Sequence, residues 1–159
     1  MNQVYGMYKK LTAKNDKAGR AAFSAAFALK APYFRTVAPM IQTMEPHRGV
    51  VKIKKWWGVQ NHIGTVHAIA IANGMECAMG LLAEATTPDD MRWIPKGITL
   101  DYVAKTPGDI VCVAETTPED WDKEPPFQGD VKVTGRLVED GTVAVEGIIP
   151  IYVSAKKKK

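Results

Sequence analysis

Cysteine and histidine are scarce in this chain, with two of the first and three of the second among 159 residues. Cys77 and Cys112 form no CxxC pair, and each sits in an apolar pattern. A disulfide framework and a zinc-type ligand set are therefore excluded, no metal is expected, and both cysteines read as buried free thiols of a reducing compartment. Phosphate-cradling loops are missing too, since neither GxxxxGK[ST] nor GxGxxG occurs. The N-terminal MNQVYGMYKK lacks the apolar stretch of a secretory signal, so the expected setting is cytoplasmic. Excess charge is confined to one place. The net charge of +4 comes from Lys156 to Lys159, and without them 17 basic residues face 17 acidic ones. A neutral body with a short solvated tail argues against a nucleic-acid partner.

What the chain does have is a long apolar run, NHIGTVHAIAIANGMECAMGLL at 61–82, with a single carboxylate, Glu76. No Lys or Arg lies between Lys55 and Arg92 to neutralise it. Burying an unpaired carboxylate is costly, so its presence asks for a role. The run is long enough to suggest a membrane span, but an acid near the bilayer centre would cost about 3 kcal/mol or more, and no span is expected. The composition favours a helix over about 66–84, started by Thr65 as cap and apolar nearly all round, as in a helix enclosed by other elements. Gly74 and Gly80 inside it suggest a close-packed neighbouring backbone.

Around that helix the patterning suggests two leading helices, 2–13 and 18–31, and then strands at 40–45 and 50–57. Four further strands follow at 98–106, 109–116, 129–140 and 142–155, the last two joined by the hairpin signal Asp140-Gly141. In 98–106 the residues Ile98, Leu100, Tyr102 and Ala104 share a face, and the acidic, Pro-rich 117–128 reads as an exposed loop. One buried helix against one antiparallel sheet is an α+β fold of the hotdog arrangement. The organisation expected is an N-terminal helical extension (1–36), a hotdog domain (37–155) and a flexible basic tail (156–159).

The stretch GTVHAIAIANGMECA, 64–78, resembles the phenylacetate-type hotdog acyl-CoA thioesterases, with their Gly-Thr-x-His loop end and an acid two to three turns into the helix. ITLDYVAKTPGDIVCVAET, 98–116, is similar to that family's following strand and its Pro-Gly-Asp hairpin. The block GTVHAIA … RWIPKGITLDY is closer still to a little-characterised branch of the superfamily, and the resemblance covers about 37–155. It implies hydrolysis of an acyl-CoA or acyl-carrier thioester with no cofactor beyond the coenzyme A of the substrate. It also implies Glu76 as general base or nucleophile, the backbone N–H of Ile69 as oxyanion donor, and a homodimer, with a dimer of dimers as the larger form. The family commonly has Gly-Gly where this chain has Ala68-Ile69.

Spacing adds to this. Ile69 and Glu76 lie on one helical face, roughly 10 Å apart along the axis. One helix cannot easily present both to one carbonyl, so the carboxylate should meet the helix tip of an antiparallel second subunit. Asn61 is a candidate to orient water or the thioester carbonyl, or else to cap its own loop. Asn73, three residues before Glu76, is a candidate to fix the carboxylate. His67 reads as a loop-bonding residue at the first turn. His62, 14 residues before Glu76, keeps open a hotdog hydratase or dehydratase, and a non-catalytic acyl-CoA-binding dimer is the third reading. Arg92, Lys96 and Arg136 are candidate contacts for the phosphates of coenzyme A, and Trp57 and Trp93 are candidates for the mouth of the site or for packing.

Overall fold

The structure, a computed structural model, describes residues 2–156. The chain runs α1 (Gln3–Thr12), α2 (Asp16–Lys30), a 3₁₀ turn (Pro32–Val37), β1 (Met40–Glu45), β2 (Arg48–Ile53) and a second 3₁₀ turn (Trp57–Val59). It continues with α3 (Ala68–Thr86), β3 (Met91–Pro95), β4 (Thr99–Tyr102), β5 (Ile110–Glu115), α4 (Pro118–Trp121), β6 (Phe127–Leu137) and β7 (Val143–Ala155). The strands form one antiparallel sheet in the order β1-β2-β5-β6-β7-β3, with β4 also pairing β7. This sheet curls around α3, which is the hotdog arrangement expected.

Alternation in the strands puts Val51 and Ile53, Ile110, Cys112 and Ala114, and Val131 and Val133 on the concave side, all buried. They meet Met75, Ala78, Met79, Leu81 and Leu82 of α3, which are also fully buried. Alone, α3 is apolar enough to cross a membrane, with a mean hydropathy of 1.2. Its apolar length is accounted for by this core. Burial also settles the thiols: it pushes Cys112 up to about 12 and raises Cys77 beyond its ordinary value, so both stay protonated and unreactive.

The close approach between helix and sheet comes from the sheet side. A Cβ on Gly49 of β2 would lie 2.0 Å from the Ala78 carbonyl oxygen. The two helix glycines differ from the expectation of a neighbouring backbone. At Gly74 a Cβ would meet side chains, Ile53 Cδ1 at 2.3 Å and Cys112 Sγ at 3.0 Å. At Gly80 the nearest atom would be Trp93 Cη2 at an ordinary 3.5 Å.

Other expectations are corrected by pairing. β3 is a strand that its short, half-exposed MRWIP sequence does not announce, and it exists by pairing with β7. The strand expected over 98–106 is only Thr99–Tyr102. As an outer strand it is covered on little of its surface, so Ile98 (47%) and Tyr102 (46%) are exposed even though the Tyr102 hydroxyl reaches α3 at Ala68 O. The acidic segment 117–128 carries the short α4, where Asp120 and Thr117 form a capping box, and Trp121 packs edge-on against Phe127 and His47. Lys156 belongs to the fold rather than to a tail, because its N–H donates to Asp90 O at 2.8 Å and its Nζ to Asp89 O at 2.7 Å. The rest of the expected tail, 157–159, lies outside the described residues.

The N-terminal helices pack on the core through an aromatic stack. Phe23 is fully buried, sits edge-on to Tyr8 and stacks on Phe27, which stacks on Phe34. Asn2 and Asn15 cap their helices by accepting from Val4 N and Ala18 N.

Asp109, ahead of β5, ties down the end of β2. Its carboxylate pairs with Lys52 Nζ at 2.9 Å and accepts from Lys55 N at 2.9 Å. The Lys52 ammonium first, then the Lys55 amide, hold this carboxyl below its usual value of 3.8. A group depressed in this way stabilises the fold fully above its unfolded pKa, and the contribution fades as pH falls through the lower folded value. Asp109→Asn is therefore expected to cost about 1 kcal/mol or less at neutral pH, as for a partly exposed pair. The difference from wild type should vanish on titration well below pH 3.8, followed by circular dichroism.

Candidate active site

The start of α3 is built by a network of loop bonds. Asn61 Nδ2 donates to Thr65 Oγ1 at 2.8 Å, and Asn61 Oδ1 accepts from Thr65 N at 3.0 Å and Ile63 N at 3.2 Å. Asn61 thus caps its own loop, and its side chain is engaged there. Thr65 is held by that loop and does not cap the helix. The cap is His67, whose Nδ1 accepts from Ile69 N at 3.1 Å, which puts the ring proton on Nε2. The one amide that the family resemblance singles out is therefore bonded to this chain's own imidazole. The Ala68 and Ala70 amides of the same turn have no acceptor among the described residues. Tyr102 anchors the turn from β4, its hydroxyl donating to Ala68 O at 2.9 Å. His67→Ala removes the cap and is expected to lower stability by about 0.5–2 kcal/mol, read from the thermal unfolding midpoint.

Two turns further on, Glu76 is half-buried, and among the described residues its carboxylate has no hydrogen-bond or ion-pair partner. It is not a core acid satisfied by its neighbours. It sits on the side of α3 that faces β3 and the N-terminal helical region rather than β2 and β5, a face less covered than the enclosed helix expected: Ile69 is 61% exposed, and Ala72 and Gly80 are partly so. Two cavities open on that face, and Glu76 lines both. The first, about 430 Å³, runs between Ile69, Asn73 and Glu76 of α3, Tyr33 of the 3₁₀ turn, Pro95 at the end of β3, Gly97 and Ile98 in the connection to β4, and Ile149 of β7. The second, about 340 Å³, continues toward Gly80 and Glu84 under the N-terminal helices.

Asn73 reaches the first cavity, but not as a support for Glu76. Its amide nitrogen donates to Thr36 Oγ1 at 3.1 Å, and no bond joins it to the carboxylate among the described residues. Its Oδ1 is buried with no partner, an acceptor left free beside the cavity. His62 is exposed and lines neither cavity. The three cations are separated. Lys96 and Arg92 line neither cavity: Lys96 stands in the connection between β3 and β4, and Arg92, bonded to Ser154 Oγ at 3.3 Å, alternates with the cavity-lining Trp93 and so belongs to the opposite face of β3. Arg136 is at the other end of β7, opposite Val143 and donating to Gly141 O at 3.4 Å, and does not belong to this site. Trp57 is 87% exposed and Trp93 lines the second cavity. Sequence reasoning missed Tyr33, Thr36 and Pro95. Only Tyr33 left a trace, as apolar content in the Pro32–Pro39 connection.

Fold and site together define a hotdog protein with an acid on its central helix. The chain belongs to the family described as a domain of unknown function, DUF4442, whose model matches residues 19–153. It is 35% identical to a protein solved as the genomics target APC5556, with a TM-score of 0.80 over 94% of this chain and 99% of that one. It shares its fold with a thioesterase-family protein from Silicibacter pomeroyi (13% identity, TM-score 0.69, 84% of this chain and 96% of that one). The thioesterase HI1161 from Haemophilus influenzae is another such neighbour (9%, TM-score 0.65, 77% and 82%). No curated protein was found to match the sequence.

Proposed function

We propose that the protein hydrolyses an acyl-CoA or acyl-carrier thioester with Glu76 as general base. The observation that carries this reading is the partnerless carboxylate of Glu76, half-buried where two largely apolar cavities meet. The thioesterases among its structural neighbours support it. Glu76 takes a proton from water as the oxygen adds to the thioester carbonyl. The oxyanion is held by backbone N–H groups of a helix start, where the dipole is positive. When the carbon–sulfur bond breaks, the thiolate leaves with the proton that Glu76 returns. The Ala68 and Ala70 amides are unbonded donors for this purpose, and the Ile69 amide becomes one if the His67 ring turns away. Lys96, in the connection whose Gly97 and Ile98 line the first cavity, is the cation placed to suit the phosphates of coenzyme A.

The base and the donors stand roughly 10 Å apart on one helix. The reading therefore includes a homodimer in which each Glu76 serves the other helix's start. Exposed Ile94 of β3 and Val103 just after β4 support an apolar subunit contact there. Sedimentation equilibrium should return twice the chain mass. The activity is tested by thiol release from a panel of acyl-CoAs, and a folded protein that releases none at any chain length sinks the enzymatic reading. The bond from Ile69 N–H to His67 favours one alternative, a hotdog dimer that binds acyl-CoA without turnover. A hydratase pairing of His62 with Glu76 has no support from the position of His62.

A further inference from the structure

We infer that the second cavity is the acyl channel, roofed by the N-terminal helices, and that the substrate carries a straight chain of about eight to ten carbons. This rests on the thioesterase reading for what happens at Glu76, though not for what binds.

The two cavities share Glu76 and Pro95, so a molecule whose carbonyl lies at Glu76 in the first has the second directly beside it. The walls of the second are apolar for most of its length: Phe27 and Phe34 from the N-terminal helical region, Met79 from α3 and Trp93 from β3. Its polar groups lie at the far end. There Glu84 accepts from the Asn2 amide, and Lys30 of α2 lines the same cavity and, with Glu84, the polar one next to it. An alkyl chain pushed past that point would strip water from charged groups without replacing it, which sets a natural stop.

Gly80 is the second, independent observation. A glycine inside a helix is destabilising, and the other one in α3, Gly74, is required because a Cβ there would strike Ile53. Gly80 has no such reason, since a Cβ would find only the Trp93 ring at 3.5 Å. The space above it is not filled by this chain and forms part of the second cavity.

Length follows from geometry. Eight residues of helix separate Glu76 from Glu84, about 12 Å along the axis. An extended chain of single bonds advances about 1.2 Å per bond, as the backbone's reach per residue implies. Ten bonds fit, and long-chain acyl groups do not.

The test uses the full chain with straight acyl-CoAs from acetyl to palmitoyl, read both as kcat/KM for thiol release and as Kd by calorimetry. Wild type should peak near octanoyl and decanoyl in both. In Gly80→Val the decanoyl-to-butyryl ratio should fall about tenfold or more, as expected when space for a methylene is removed. In Glu84→Leu, which deletes the polar stop, the optimum should move to longer chains, and circular dichroism checks that each variant folds. Binding that peaks at these lengths without turnover leaves the channel standing and removes the hydrolysis. A flat length profile, or an optimum at acetyl or palmitoyl, overturns the channel even where turnover is fast. So does a decanoyl-to-butyryl ratio unchanged in folded Gly80→Val, which would place the pantetheine arm or nothing at all in that space.

Discussion

Glu76→Gln should lower kcat/KM for thiol release by about 10²–10⁴-fold while leaving the protein folded, because that is the usual contribution of a positioned general base. The substitution keeps the shape and removes the charge and the basicity. Its effect on stability should be small and of either sign. The carboxylate has no partner to lose among the described residues, and a half-buried charge without a partner is desolvated for no return. That combination separates a functional acid from a structural one. A structural acid would show its loss in the thermal midpoint and spare the rate. An unchanged rate in Glu76→Gln, with intact activity in wild type, removes Glu76 from the chemistry.

The largest expected effect on stability lies at a position with no chemistry. Gly49→Ala places a Cβ 2.0 Å from Ala78 O and 3.1 Å from Leu82 N, both backbone atoms of α3. A side chain could rotate away from such a contact, but a helix backbone cannot, so α3 must lift from β2 and open the core. The expected loss is about 3 kcal/mol or more, at the upper end for overpacking. That corresponds to a drop of roughly 6–12 °C in the thermal midpoint for a domain of this size. The same substitution at Gly80 should act in the opposite direction, raising stability by up to about 1 kcal/mol, since it improves helix propensity where space is available. A neutral Gly49→Ala would mean that helix and sheet are not in backbone contact there.

The two glycines mark where reading the chain succeeds and where it stops. Helix composition locates α3 within two residues at each end, because period and propensity are local. It also puts Gly74 and Gly80 inside that helix, but not what each faces. That depends on β2 and β5 at Gly74 and on β3 at Gly80. The strand β3 itself escaped notice because five half-exposed residues carry no alternation, and only the partner β7 makes them a strand. The cap shows the same limit. Thr65 is the better capping residue by type, yet Asn61 holds its hydroxyl, and the imidazole of His67 is the group within reach of Ile69 N–H. Asn73 has the right spacing for Glu76, but a residue 37 positions away, Thr36, takes its amide.

The amino-acid sequence by itself determined the fold class and the singular acid. Both rest on local patterns: a helical run with one carboxylate and no cation near it in the chain, followed by alternating strands and an Asp-Gly hairpin. Tertiary structure alone decided what that acid meets. Residues distant in sequence, Tyr33, Phe34, Pro95 and Trp93, close around α3 to make two joined cavities, and the His67 ring turns back onto the helix start. The physical reason is that a cavity is a property of surfaces left unfilled when several elements pack, and no single stretch of chain carries a record of the space it leaves to others.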